Sequence, residues 1–72
     1  MPNSSMKVIS SNINDVSYDE RSQTMSITFH DGSIYNYFNV PEGVYMRLVN
    51  ASSVGGYFAI YIKGRFTSSR VN

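Results

Sequence analysis

The chain has 72 residues, 42% of them apolar and 15% charged, with no cysteine. A domain this short buries only about 60% of the surface its unfolded form exposes, so it builds one small core with little room for a deep pocket. The balance is too apolar for a disordered chain, and the missing cysteines exclude disulfides and thiolate metal sites.

The formal net charge is +1, but it is unevenly spread. Residues 1–42 carry Lys7 and Arg21 against Asp15, Asp19, Glu20, Asp31 and Glu42. Residues 43–72 carry Arg47, Lys63, Arg65 and Arg70 with no acid. A cationic half points to an anionic partner, and nucleic acid is the usual one. The start "MPNSSMKVIS" has no apolar run that reads as a signal peptide, and no segment approaches the roughly 20 apolar residues of a membrane span. The expectation is a cytoplasmic chain with no membrane partner. Residues 1–6 are expected to be a disordered segment, residues 7–66 a single domain, and residues 67–72 a frayed tail.

Three strands come first. Val16 and Tyr18 alternate with polar neighbours. Met25, Ile27 and Phe29 then alternate with Ser26, Thr28 and His30, the period of a half-buried strand. Asp31-Gly32 marks a hairpin, because glycine reaches positive φ without penalty. The returning strand, "SIYNYF", holds the aromatic and β-branched residues that a pleated sheet favours.

Loop length at this hairpin decides where Tyr35 and Tyr37 point. A two-residue loop puts both on the outer face as a polar aromatic shelf, and sets Asn36 against the core, where an unpaired amide costs a few kcal/mol. A three-residue loop, His30–Gly32, turns both tyrosines inward and leaves Ile34 and Phe38 outside, each forgoing about 2 kcal/mol of burial. The inward register is favoured, because its face of Met25, Ile27, Phe29, Tyr35 and Tyr37 contains no amide.

Pro41 and Glu42 mark a helix start, the first by its fixed φ and missing N–H, the second by its charge at the positive end of the dipole. Val44, Leu48 and Ala51 form one helical stripe, widened by Tyr45 and Val49. "NASS" ends this helix and caps the next element. Residues 54–63 read two ways. Val54, Phe58 and Ile62 are spaced for a helix, with Gly64 as its stop, while Phe58, Ile60 and Ile62 alternate as in a strand.

"VSYD", then "MSITFHDGSIYNYFNVP", then "YMRLVNASSVGGYF" resembles the KTSC domain family. The family takes its name from the C-terminal segment of certain lysyl-tRNA synthetases, and it also occurs as short bacterial and phage proteins. The match rests on a Y-x-Y followed by V-P (Tyr35, Tyr37, Val40, Pro41) and a Y-D pair (Tyr18, Asp19). An F-x-x-G turn (Phe29, Gly32) and an A-x-S-x-G-x-Y-F run (Ala51, Ser53, Gly55, Tyr57, Phe58) complete it. It covers roughly residues 8 to 66. The resemblance implies a helix for the last element, no established activity, and RNA binding by association with the synthetase. Members usually have polar residues where this chain has Ala59, Ile60 and Tyr61, which implies an apolar patch on that helix.

Chemistry finds little support. His30 is the one histidine, with no second ligand at metal spacing, and it reads as incidental. Ser52 and Ser53 read as helix caps rather than nucleophiles. "SSVGG" lacks the spacing of a phosphate-binding loop. No enzyme, cofactor or metal is expected.

The expected fold is α+β: a three-stranded antiparallel meander followed by two helices on one face. Its core is Val16, Tyr18, Met25, Ile27, Phe29, Val44, Leu48, Phe58 and Ile62, with the tyrosine pair included. The leading functional expectation is a non-catalytic module for RNA or single-stranded DNA. Arg47, Lys63, Arg65 and Arg70 would meet phosphates, with Tyr37 or Tyr61 stacking on bases. The alternative is a protein–protein adaptor, phage-encoded, acting on a host factor in the host cytoplasm.

Overall fold

In the computed structural model, residues 12–72 are described in full and residues 3–7 by their strand pairing. The elements run β1 (Asn3–Lys7), β2 (Ile13–Asp19), β3 (Thr24–Phe29), β4 (Ile34–Tyr37), α1 (Glu42–Val49), α2 (Val54–Tyr57) and β5 (Ser68–Arg70). A π-helical turn, Phe58–Ile62, continues α2. The strands form one antiparallel sheet in the order β1-β2-β3-β4-β5.

The expected meander is β2–β4, and the fold class holds. Two strands extend it. Residues 3–7, mostly within the segment expected to be disordered, pair with β2, and Ser68–Arg70, expected as a frayed tail, pair with β4. Polar composition concealed both. Edge strands need only backbone hydrogen bonds, so they show no apolar alternation. Residues 1–2 and 8–11 lie outside the described residues.

The β3–β4 hairpin adopts the three-residue loop. Phe29 N–H donates to the Ser33 carbonyl at 2.9 Å, and Gly32 has φ +91°. The Asp31 carboxylate accepts from Ser33 N–H at 2.9 Å and from Ser33 Oγ at 2.7 Å. These bonds, with the nearby Arg70 charge, hold its pKa below the ordinary carboxylate value. Met25 therefore pairs with Tyr37 and Ile27 with Tyr35, so both tyrosines face inward. The other face carries the polar row Ser17–Ser26–Asn36–Ser69. There Ser26 Oγ donates to Asn36 Oδ1 at 2.5 Å, so the amide that would have burdened the core lies outside it.

The core holds Ile13, Val16, Tyr18, Met25, Ile27, Tyr37, Val40, Tyr45, Leu48, Val54, Phe58 and Ile62, with Phe29, Tyr35 and Val44 packed against it. Seven of the nine expected core positions are in it, and the other two, Phe29 and Val44, are partly buried against it. Ile13 was not anticipated, because its spacing to Val16 is odd. A register shift between Ile13 and Asp15 absorbs the extra residue and returns Ile13 to the inner face.

Residues 54–62 are helical, which settles the two readings of this segment. Ser53 Oγ accepts from Gly56 N–H at 3.1 Å and caps the first turn. Lys63 N–H donates to the Phe58 carbonyl at 2.9 Å, five residues back, and Gly64 ends the turn at φ +76°. Val54, Phe58 and Ile62 are buried, while Ile60 and Tyr61 face solvent at 58% and 54% exposure.

The family motifs at Tyr18, Asp19, Val40 and Pro41 meet at one end of the sheet. Tyr18 O–H donates to the buried Val40 carbonyl at 2.6 Å, and Val40 N–H donates to the Gln23 carbonyl at 2.9 Å. Asp19 accepts from Arg21 N–H at 3.1 Å and shapes the β2–β3 turn. The Tyr18 ring stacks on Tyr45 at 4.9 Å. These contacts fix where the chain leaves β4 and enters α1 at Pro41.

Candidate nucleic-acid interface

The β3–β5 side of the sheet holds a cleft of about 360 Å³, lined by Asn12, Phe29, Tyr35, Tyr37, Phe58, Lys63, Gly64 and Ser68. β3 supplies Phe29, β4 supplies both tyrosines, the π-helical turn supplies Phe58, and the Gly64 stop places Lys63 on the wall. A second hollow of about 370 Å³ adjoins it and shares Asn12 and Phe29, with His30 and Asp31 beyond. His30 N–H donates to the Asn12 carbonyl at 2.8 Å, tying this edge to the hairpin.

Four aromatic rings form a closed circuit in the cleft. Phe29 meets Tyr35 at 5.9 Å and Phe58 at 5.6 Å, and Tyr37 meets Phe58 at 5.7 Å, all edge to face. Tyr35 and Tyr37 complete the circuit at 6.5 Å with an interplanar angle of 30°. Burial, with Tyr35 beside it, raises the Tyr37 phenol above its ordinary pKa.

The cations divide into two groups. Lys63 lines the cleft, and the Arg70 guanidinium lies 5.9 Å from the Tyr35 ring centroid, within cation–π range. Arg70 faces Tyr35 because their strand positions are paired, and its Nε donates to the Asn72 carbonyl at 2.7 Å. Arg65 follows Gly64 and is exposed, outside the lining. Arg47 lies on the solvent side of α1, beside the inward Tyr45 and Leu48, and outside the cleft as well.

Charge is therefore separated along the sheet. Asp19, Glu20 and Glu42 stand near the Tyr18 phenol, and after burial they add to the rise in its pKa. Lys63 and Arg70 stand on the side of β4 and β5, where Asp31 is an acid in electrostatic contact with Arg70.

One expected stacking residue needs correction. Tyr37 is only 6% exposed, and Phe58 and Tyr35 occupy its surroundings, so it is a wall of the cleft and not a free platform. The inward register that completes the core removes that face from solvent. Tyr61 is exposed, with its ring 4.6 Å from Tyr57. Asn12 and Phe29 were missed as site residues, while Tyr35 and Phe58 were singled out only as family-motif positions and not as binding residues. The inward register carried the signal, since it sets Tyr35 beside Tyr37 on the face that α2 covers. Gly55 lies within α2, where the family motif continues to Phe58.

Among the described residues no group of three or more His, Cys, Asp or Glu side chains could hold a metal ion. No helix among them is long and apolar enough to cross a membrane.

Comparison with known proteins gives a consistent result. The KTSC domain model matches residues 9–66. A lysine–tRNA ligase of Nostoc punctiforme is 46% identical over 54 residues, covering 75% of this chain and 10% of that protein. The ligase of Trichormus variabilis is 44% identical over 54 residues, again 75% of this chain and 10% of the relative. The chain thus spans about a tenth of the length of these curated relatives. A crystal structure of a KTSC domain protein from Yersinia pestis superposes with a TM-score of 0.89 at 31% identity, covering 97% of this chain and 99% of that one. From its sequence motifs through its sheet and helices, this chain belongs to the KTSC domain family.

Proposed function

We propose that the chain is a small non-catalytic module that binds RNA or single-stranded DNA at the cleft flanked by Lys63 and Arg70. The observation behind this reading is the aromatic cleft flanked by both cations, with no acid among the described residues of its lining. Cations neutralise phosphates, and aromatic faces or edges accept unstacked bases. The relatives named as lysine–tRNA ligases carry the same domain within proteins that act on an RNA, which favours RNA over DNA. The adaptor alternative rests on exposed apolar side chains, Ile60 and Tyr61 with Met46 and Val71.

The test is fluorescence anisotropy with a labelled single-stranded RNA at about 50 mM salt, where phosphate contacts are favoured. Three phosphate contacts, from Lys63, Arg65 and Arg70, give a slope of log K against log salt of roughly −2 for a single strand. Lys63→Ala and Arg70→Ala should each reduce that slope by about 0.7. No binding at the low salt concentration would overturn the proposal.

A further inference from the structure

We infer that the cleft is a pocket for one unpaired nucleobase, seated against the half-buried rings of Phe29 and Tyr35, which the buried Tyr37 and Phe58 back, with the adjoining phosphate held by Lys63 and Arg70. This rests on the nucleic-acid reading and goes beyond it, since a basic surface alone binds the backbone of any strand.

Three observations carry the inference. The volume, about 360 Å³, is in the range of small-molecule pockets, roughly 300–1,000 Å³, and so suits one nucleotide and not a duplex. The walls are aromatic, and the circuit of ring contacts at 5.6–6.5 Å preorganises them before any ligand arrives. Among the described residues of the lining the charged side chain is Lys63, and the Arg70 guanidinium lies against Tyr35, with Asp31 in the adjoining hollow.

Together these select the ligand. An aromatic cage for an ammonium group would need an acid or a neutral rim, and here the cations oppose it. A neutral apolar ligand would leave Lys63 beside it without a counter-charge. An aromatic group bearing an anion matches both the rings and the cations, and a nucleotide is such a group. Within a helix the faces of a base are covered by its neighbours, so only a splayed, single-stranded base can enter.

The experiment compares a short single-stranded RNA with the same sugar–phosphate strand lacking its bases, each titrated into the unaltered protein at about 50 mM salt. The pocket predicts about 5- to 150-fold weaker binding of the abasic strand, from the loss of base–aromatic contact. Tyr35→Leu and Phe58→Leu, checked for folding by circular dichroism, should weaken the intact strand toward the abasic level and leave the salt slope unchanged. If Phe58→Leu fails to fold, the two-strand comparison still decides. Equal binding of both strands would overturn the base pocket and leave the nucleic-acid reading standing. Binding of neither would overturn both.

Discussion

Tyr18→Phe removes one oxygen from the inner face of the sheet and nothing else. The ring stays, with its stacking on Tyr45 at 4.9 Å. What is lost is the 2.6 Å hydrogen bond to the Val40 carbonyl. Val40 is fully buried and Tyr18 is 3% exposed, so water does not readily replace the donor. A buried carbonyl left without a partner costs about 1–3 kcal/mol, and we take about 2. For a domain of this size each kcal/mol lowers Tm by about 4–8 °C, so the expected fall is about 8–16 °C. The assay is thermal unfolding followed by circular dichroism. Tyr61→Phe is the control: Tyr61 is 54% exposed, and its change should stay within about 0.5 kcal/mol. A Tyr18→Phe melting temperature within about 2 °C of the parent would show that this bond is not what fastens β2 to the start of α1.

Gly64 and Gly43 both have room for a methyl group, since an added Cβ would meet nothing within 4 Å at either, yet they should respond with opposite signs. Gly64→Ala forces alanine to φ +76°, a left-handed conformation that costs about 1–2 kcal/mol, so the protein should melt lower. Gly43→Ala, in the first turn of α1, should raise stability by about 0.5–1 kcal/mol, and a fall would refute the backbone argument. Alkaline pH should weaken the fold. The Tyr18 and Tyr37 phenols have folded pKa values raised above 10.0. Their stabilising contribution is complete below pH 10.0 and is lost as pH rises through the folded values, because the unfolded chain releases these protons first. Chemical denaturation between about pH 8 and 11 should show the decline, and Tyr37→Phe should flatten it.

Much of the local structure was legible in the residues. Gly32 and Gly64 sit at positive φ where a hairpin and a helix stop were expected, and Ser53 caps the helix it precedes. The stripe of Val54, Phe58 and Ile62 and the alternation of Met25, Ile27 and Phe29 reported their own buried faces. These features are local: each depends on backbone geometry or side-chain period within a few residues. The edge strands β1 and β5 were missed for the same reason, since their pairing depends on a neighbour's free backbone groups and not on their own pattern.

Composition, turn chemistry and periodicity determined by themselves that the chain is α+β and where most of its main elements begin and end, and the order of its motifs carried the family resemblance. The tertiary structure decided that residues 54–62 are helix and not strand, because burial against the sheet chose between two periods that fit equally well. It also decided the site. Tyr35, Lys63 and Arg70 come from β4, the end of the π-helical turn and β5, and they meet only because β5 returns beside β4 and pairs Arg70 with Tyr35. No period along the chain encodes that meeting. It follows from the addition of β5 beside β4, which is a property of the whole fold.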